Sequence, residues 1–110
     1  MLQIINFCTP LLKNEFNVPE CYSQATYNRI KTMSWGARDF KNLSHKGLLF
    51  RVSGHHHKGY VLITYDYTDT YQVYLISTTF KIVKQFEQVY CDMLQDLIDE
   101  NIERIPEYIH

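Results

Sequence analysis

No apolar run in these 110 residues approaches the ~20 needed to cross a bilayer as a helix, so no transmembrane helix is expected. Met1 to Cys8 is somewhat apolar but has neither a basic start nor a small-residue cleavage site. A signal peptide is therefore not expected either. Cysteine is scarce and oddly numbered: Cys8, Cys21 and Cys91 include no Cys-x-x-Cys pair, which excludes a zinc ribbon or thioredoxin-type motif. Three reduced thiols without disulfides fit a cytoplasmic protein with no membrane partner. The strings Gly-x-x-x-x-Gly-Lys, Gly-x-Gly-x-x-Gly, Gly-x-Ser-x-Gly and His-Glu-x-x-His are all missing. Signatures of nucleotide binding, α/β-hydrolase chemistry and zinc proteolysis go with them. There are no internal repeats, low-complexity segments or linkers, so residues 1–110 read as a single domain of common size. A chain this long buries roughly two thirds of its unfolded surface without staples.

What is present is aromatic side chain, 15% of the residues, with nine Tyr. A tyrosine combines a large ring with a polar tip and suits half-buried sheet faces and contact surfaces. Charge is unevenly spread. Arg29, Lys31, Arg38, Lys41, Lys46, Arg51 and Lys58 face only Asp39 in 29–58. From Glu87 onward seven acids face Arg104 alone. The two regions either offset each other in one fold or serve different partners.

The chain is organised around 47–77. Runs at 48–53, 60–67 and 71–77 are rich in β-branched and aromatic residues and are separated by short clusters of Gly, Asp, Thr and His. Period-two alternation puts Leu48, Phe50 and Val52 on one face. It likewise sets Val61, Ile63, Tyr65 and Tyr67 against Tyr60, Leu62, Thr64 and Asp66, and Tyr71, Val73 and Leu75 against Gln72, Tyr74 and Ile76. Neither middle strand has a purely polar face, so both faces must be covered. Helices are expected over one, and N-terminal chain or a second subunit over the other. Phe80, Ile82, Lys84 and Phe86 alternate with Lys81, Val83 and Gln85, giving a charged edge strand. Tyr90, Met93, Leu94, Leu97, Ile98, Ile102 and Ile105 recur at three and four, predicting an amphipathic helix over 89–104 that Pro106 stops.

The first third is less regular. Thr9-Pro10 reads as a helix start with Leu11, Leu12 and Phe16 as a short apolar face. Pro19-Glu20 offers a second start for a helix near 20–29. Met33, Trp35 and Ala37 alternate with Thr32, Ser34 and Gly36, which favours a strand leading into the Lys41–Lys46 loop with Gly36 as a bulge. A capped turn at Ser34 is the competing reading. The expected fold is α+β: an antiparallel meander of four to five strands, the C-terminal amphipathic helix packed on one face, and a short N-terminal helical segment.

His55-His56-His57 has the right donors for zinc, copper or nickel, with His45 the nearest further ligand. Adjacent residues on a hairpin tip rarely converge on one ion, so a solvated turn and no metal or cofactor are expected. Cys91, near the start of the last helix, would need a low-pKa setting that Glu87 and Asp92 oppose; a structural thiol is expected. Asp96, Asp99, Glu100 and Glu103 read as a solvated helix face. The basic segment is the stronger lead: Arg29, Lys31, Arg38, Lys41 and Lys46 could neutralise phosphates while Trp35, Tyr27 or Phe40 stacks on bases. A pI near 6.5 and the spread of the bases over several elements weigh against it.

Ser34-Trp35-Gly36, Val52-Ser53-Gly54 before His57-Lys58-Gly59, Asp69-Thr70-Tyr71 and Val89-Tyr90-Cys91-Asp92 resemble recurring positions in small uncharacterised bacterial proteins associated with mobile elements. The resemblance spans roughly 29–105. It implies a self-contained domain and brings no activity, cofactor or binding residue. The leading expectation is a non-enzymatic interaction or accessory module. It would act through an aromatic sheet surface at Tyr60, Leu62, Tyr74 and Ile76, toward a protein partner or a second copy in a homodimer. Nucleic-acid binding through 29–58 is the alternative, and a metal- or thiol-dependent enzyme comes third.

Overall fold

A computed structural model describes residues 2–12, 14–27, 29–54, 57–66 and 70–102. Its element order is α1 (Leu2–Cys8) running into a 3-10 turn (Thr9–Leu11), α2 (Val18–Ala25), α3 (Arg29–Ser34), β1 (Arg38–Asn42), β2 (Leu48–Ser53), β3 (Lys58–Tyr65), β4 (Tyr71–Ser77), β5 (Ile82–Val89), a 3-10 turn (Cys91–Met93) and α4 (Leu94–Ile102). The five strands form one antiparallel sheet in the order β1-β2-β3-β4-β5, the expected meander. Short polar connections permit no crossover, so each strand pairs with its sequence neighbour.

Alternation on β2, β3 and β4 gives the sheet two apolar faces, and each has its own core. Leu48, Phe50, Val52, Val61, Ile63, Val73 and Leu75 meet α2 and α4 through Val18, Cys21, Ala25, Leu94, Ile98 and Ile102. On the reverse face Leu49, Leu62, Tyr74 and Ile76 meet α1 through Ile4 and Cys8, with Phe7, Leu11 and Leu12 around them. The molecule therefore has three layers, helix–sheet–helix. Between the two alternatives for the second face, the chain's own N-terminal segment takes the place.

Three local expectations are corrected. Residues 29–34 are helical, and the strand begins only at Arg38. The Met33–Trp35–Ala37 alternation was a coincidence of composition, broken by a turn in which Gly36 adopts φ +63°. The N-terminal helix lies before Thr9, not after it: Thr9 Oγ1 donates back to the Ile5 carbonyl, and Pro10 sits in the short 3-10 turn. At the other end, β5 continues to Val89, paired with Tyr71, and the regular helix begins at Leu94. Tyr90 and Met93 are exposed instead of lying on the buried stripe. Residues beyond 102, including Glu103 and Ile105, lie outside the described set.

Bulges explain a fourth difference. Ile76 pairs Ile82 and Leu75 pairs Lys84, so one extra residue in β5 shifts the phase of its alternation. Ile82 and Lys84 consequently fall on opposite faces. Phe80 belongs to the turn before the strand, where it packs beside Phe7 and Tyr60, while Phe86 faces the other core. The edge strand β1 has a similar bulge between Arg38 and Lys41, where Asp39 takes φ +57°. A short, bulged and charged edge resists pairing with another sheet.

The α2 start follows the expected rule with a better cap. Asn17 Oδ1 accepts from the Glu20 backbone N–H at 3.0 Å, and Pro19 occupies the first turn.

Candidate interaction surfaces

Of the sequence-derived basic residues, Arg38, Lys41 and Arg51 share one face of the sheet. Arg29 and Lys31 lie on α3, and their side chains fall outside the described set. Arg38 is exposed on β1 directly across from Arg51, whose guanidinium sits 5.6 Å from the centre of the Tyr60 ring. Lys41, across from Leu49, shares that face of the sheet, and Lys46 is half-buried in the β1–β2 turn. Trp35 is the clear correction. It is fully buried in the α2/α4 core and its indole N–H donates to Asp99 Oδ1 at 2.9 Å, so its ring is not available to stack on a base.

The expected aromatic sheet surface is internal as well. Leu62, Tyr74 and Ile76 are 0–2% exposed beneath α1, and only Tyr60, at the margin, remains half-buried. With α1 docked, these residues offer a partner nothing but the rim. The exposed apolar patch that would have called for a second subunit is thus covered within one chain.

His57 is not part of a solvated turn. It is 8% exposed, and its Nε2 lies 3.3 Å from the Tyr60 carbonyl. Desolvation lowers its pKa below the ordinary histidine value. Backbone bonds to Tyr60 and Ile76 act the other way, and Lys84 adds to the lowering. His55 and His56 lie outside the described residues. Among the described residues, no three His, Cys, Asp or Glu side chains come together as a metal site. A histidine buried in its neutral form has a pH signature. The unfolded chain takes up the proton near the ordinary value of 6.5, the folded one only below it, so stability is full above that value and falls as pH drops toward the folded pKa. Replacing His57 by Gln is expected to flatten the dependence of the urea midpoint on pH below 6.5. An unchanged slope would show that His57 is not its source.

Two concave regions among the described residues were not legible beforehand. One, of about 330 Å3, lies between α2, α3 and β1 and is lined by Tyr22, Thr26, Thr32, Met33, Ala37 and Phe40. Its base is aromatic: Phe40 stacks on buried Phe50 at 4.8 Å, and Tyr22 meets Phe40 edge-on at 4.9 Å from the side. Its rim is exposed, with Met33 77% and Tyr22 43% accessible. A helical stripe started at Val18 would have pointed to it. Val18, Cys21 and Ala25 form the buried side of α2 and leave Tyr22 outside. The other hollow, of about 380 Å3, is formed where the 14–17 loop meets the ends of β3 and β4.

Of the thiols, Cys8 and Cys21 are buried and Cys91 is exposed; all three are free. Burial pushes the Cys8 thiol up to about 11 and the Cys21 thiol up to about 12.

No family model, curated protein or solved structure matches this chain. No helix of the described residues is long and apolar enough to cross a membrane.

Proposed function

We propose that the protein is a non-enzymatic interaction module whose contact surface is the groove between α2, α3 and β1, and that it holds a protein partner there. The observation that carries this reading is the exposure of Met33 and Tyr22 beside the packed rings of Phe40 and Phe50. Tyr, Phe, Met and Arg are the residues enriched at the centres of protein interfaces, and clustered exposed apolar side chains mark contact sites.

Photo-crosslinking tests it. A photoreactive residue at Met33 is expected to give one discrete protein adduct, lost when Phe40 is replaced by Ser. The same residue placed at Gln85, on the opposite edge strand, should give none. Equal adduct patterns from both positions would remove the groove from consideration.

A second reading keeps nucleic acid as the partner. The observation favouring it is the pairing of Arg38 with Arg51, since like charges directly opposite on neighbouring strands are unfavourable without an anion between them. Oligonucleotide binding would then fall steeply with salt. Charge reversal at Arg38 would abolish it.

A further inference from the structure

The hollow at the ends of β3 and β4 is built unlike the groove. Three aromatic rings form its floor. Phe16 and Tyr65 lie near-parallel with centroids 5.7 Å apart, Phe16 and Tyr71 meet edge-on at 5.7 Å, and Tyr65 and Tyr71 meet edge-on at 5.4 Å. All three are half-buried. They come from a loop and two strand ends, and the loop is tied down on both sides of Glu15. Asn14 Nδ2 donates to the Tyr65 carbonyl at 3.2 Å, and the Phe16 N–H donates to the His45 carbonyl at 2.9 Å. The walls include the exposed carboxylates of Glu15 and Glu20 and, among the described residues, no base.

The polarity of this hollow selects the sign of its ligand. The α2 N-terminus beside it could suit an anion, but two of its donors are spent and the Pro19 position has none. The Glu20 N–H goes to Asn17 Oδ1, the Cys21 N–H goes to the Asn17 carbonyl, and Pro19 has none. Phe16, Tyr65 and Tyr71 line the hollow together with Glu15 and Glu20, so aromatic π-systems and carboxylates meet in one place. The Tyr71 phenol senses the same field. Burial first, then Cys21, Cys91 and Glu20, push it above the ordinary tyrosine range. A primary ammonium would have to give up strong hydration here with few acceptors to replace it. An alkylated ammonium has little hydration to lose and fits ring faces well. The volume of about 380 Å3 lies within the range of small-ligand pockets.

We propose that the Phe16–Tyr65–Tyr71 hollow is a binding site for an alkylated ammonium group, with Glu15 and Glu20 supplying the countercharge. This site does not rest on the α2–α3–β1 groove, and either can fail without the other. The shared chemistry covers a methylated lysine side chain and a choline-type small molecule.

Cys91 lines the hollow and is the exposed thiol of the three, while Cys8 and Cys21 are buried, so alkylation of the native protein reads the site directly. Tetramethylammonium is expected to slow reaction of Cys91 with iodoacetamide several-fold and saturably. Sodium chloride at equal ionic strength and neopentyl alcohol, the neutral shape analogue, should not. Choline and a trimethyl-lysine peptide then distinguish the two sources, the tighter of them naming the ligand. Phe16→Leu, which keeps apolar volume but removes the π face, should abolish protection. Glu20→Gln, at an exposed position that folding tolerates, should weaken it. Absence of protection, equal protection by neopentyl alcohol, or protection that survives both substitutions in folded protein would overturn the proposal.

Discussion

Replacing Trp35 by Ala is expected to destabilise the protein by about 3–5 kcal/mol, the range for truncating a fully buried large aromatic side chain. In a domain of this length that lowers the melting temperature by roughly 4–8 °C per kcal/mol. Trp35 is 0% exposed, packs with Val52, Ala25 and Ile98 in one core, and is held at both ends. Its indole N–H donates to Asp99, and its backbone carbonyl accepts from Ser53 N–H at 2.7 Å. Trp35 thus joins the α3–β1 turn to the end of β2 through its backbone and to α4 through its ring. Trp35→Phe separates the two contributions. It keeps most of the apolar volume but leaves the half-buried Asp99 carboxylate without its donor, a loss of about 1–3 kcal/mol. Urea unfolding of both variants decides the matter. A solvent-facing, base-stacking Trp35 would give changes within about 0.5 kcal/mol, as surface substitutions do.

Removing residues 1–11 is expected to have an equally large effect by a different route. The truncation strips α1 and its 3-10 turn from the reverse face of the sheet and uncovers Leu49, Leu62, Tyr74 and Ile76 together. That is a contiguous apolar patch larger than monomeric proteins usually carry, and burying it against a second copy is the simplest remedy. The truncated chain should therefore either lose cooperative unfolding or sediment as a larger species whose size grows with concentration. A point variant checks the same layer without deletion. Ile4 is 1% exposed, and Ile4→Asp places an unpaired carboxylate against Leu62 and Tyr74, which should cost several kcal/mol. A truncated protein that remains monomeric with an unchanged melting temperature would show that α1 is not the cover for this face.

Much of the fold was legible because strand signals are local. The alternation of Leu48–Val52, Tyr60–Tyr65 and Tyr71–Ile76 depends only on residues two apart, and the observed registers keep every one of those faces. The helix at the end was legible in kind but not in extent, because Tyr90 and Met93 mimic its period while Val89 is still paired to Tyr71. Residues 29–40 misled for a related reason. Six residues of α3 are too few for a periodic signal, and alternating small and large side chains imitate a strand.

The sequence by itself determined an antiparallel meander of four to five strands with two apolar faces, a C-terminal helix over one of them and a charged edge. Period, turn residues and short connections are properties of neighbouring positions, and they leave few topologies open. Only the tertiary structure decided which layer covers which face, and with it the roles of individual residues. Trp35 moved from candidate ligand contact to core, Leu62, Tyr74 and Ile76 moved under α1, and His57 moved out of solvent. The groove of Tyr22, Met33 and Phe40 and the hollow of Phe16, Tyr65 and Tyr71 belong to the same class. Each joins side chains from separate elements through packing, and a phase shift of one residue at a bulge is enough to send a side chain to the other face. Distances of that kind are set by non-local burial, which no window of sequence contains.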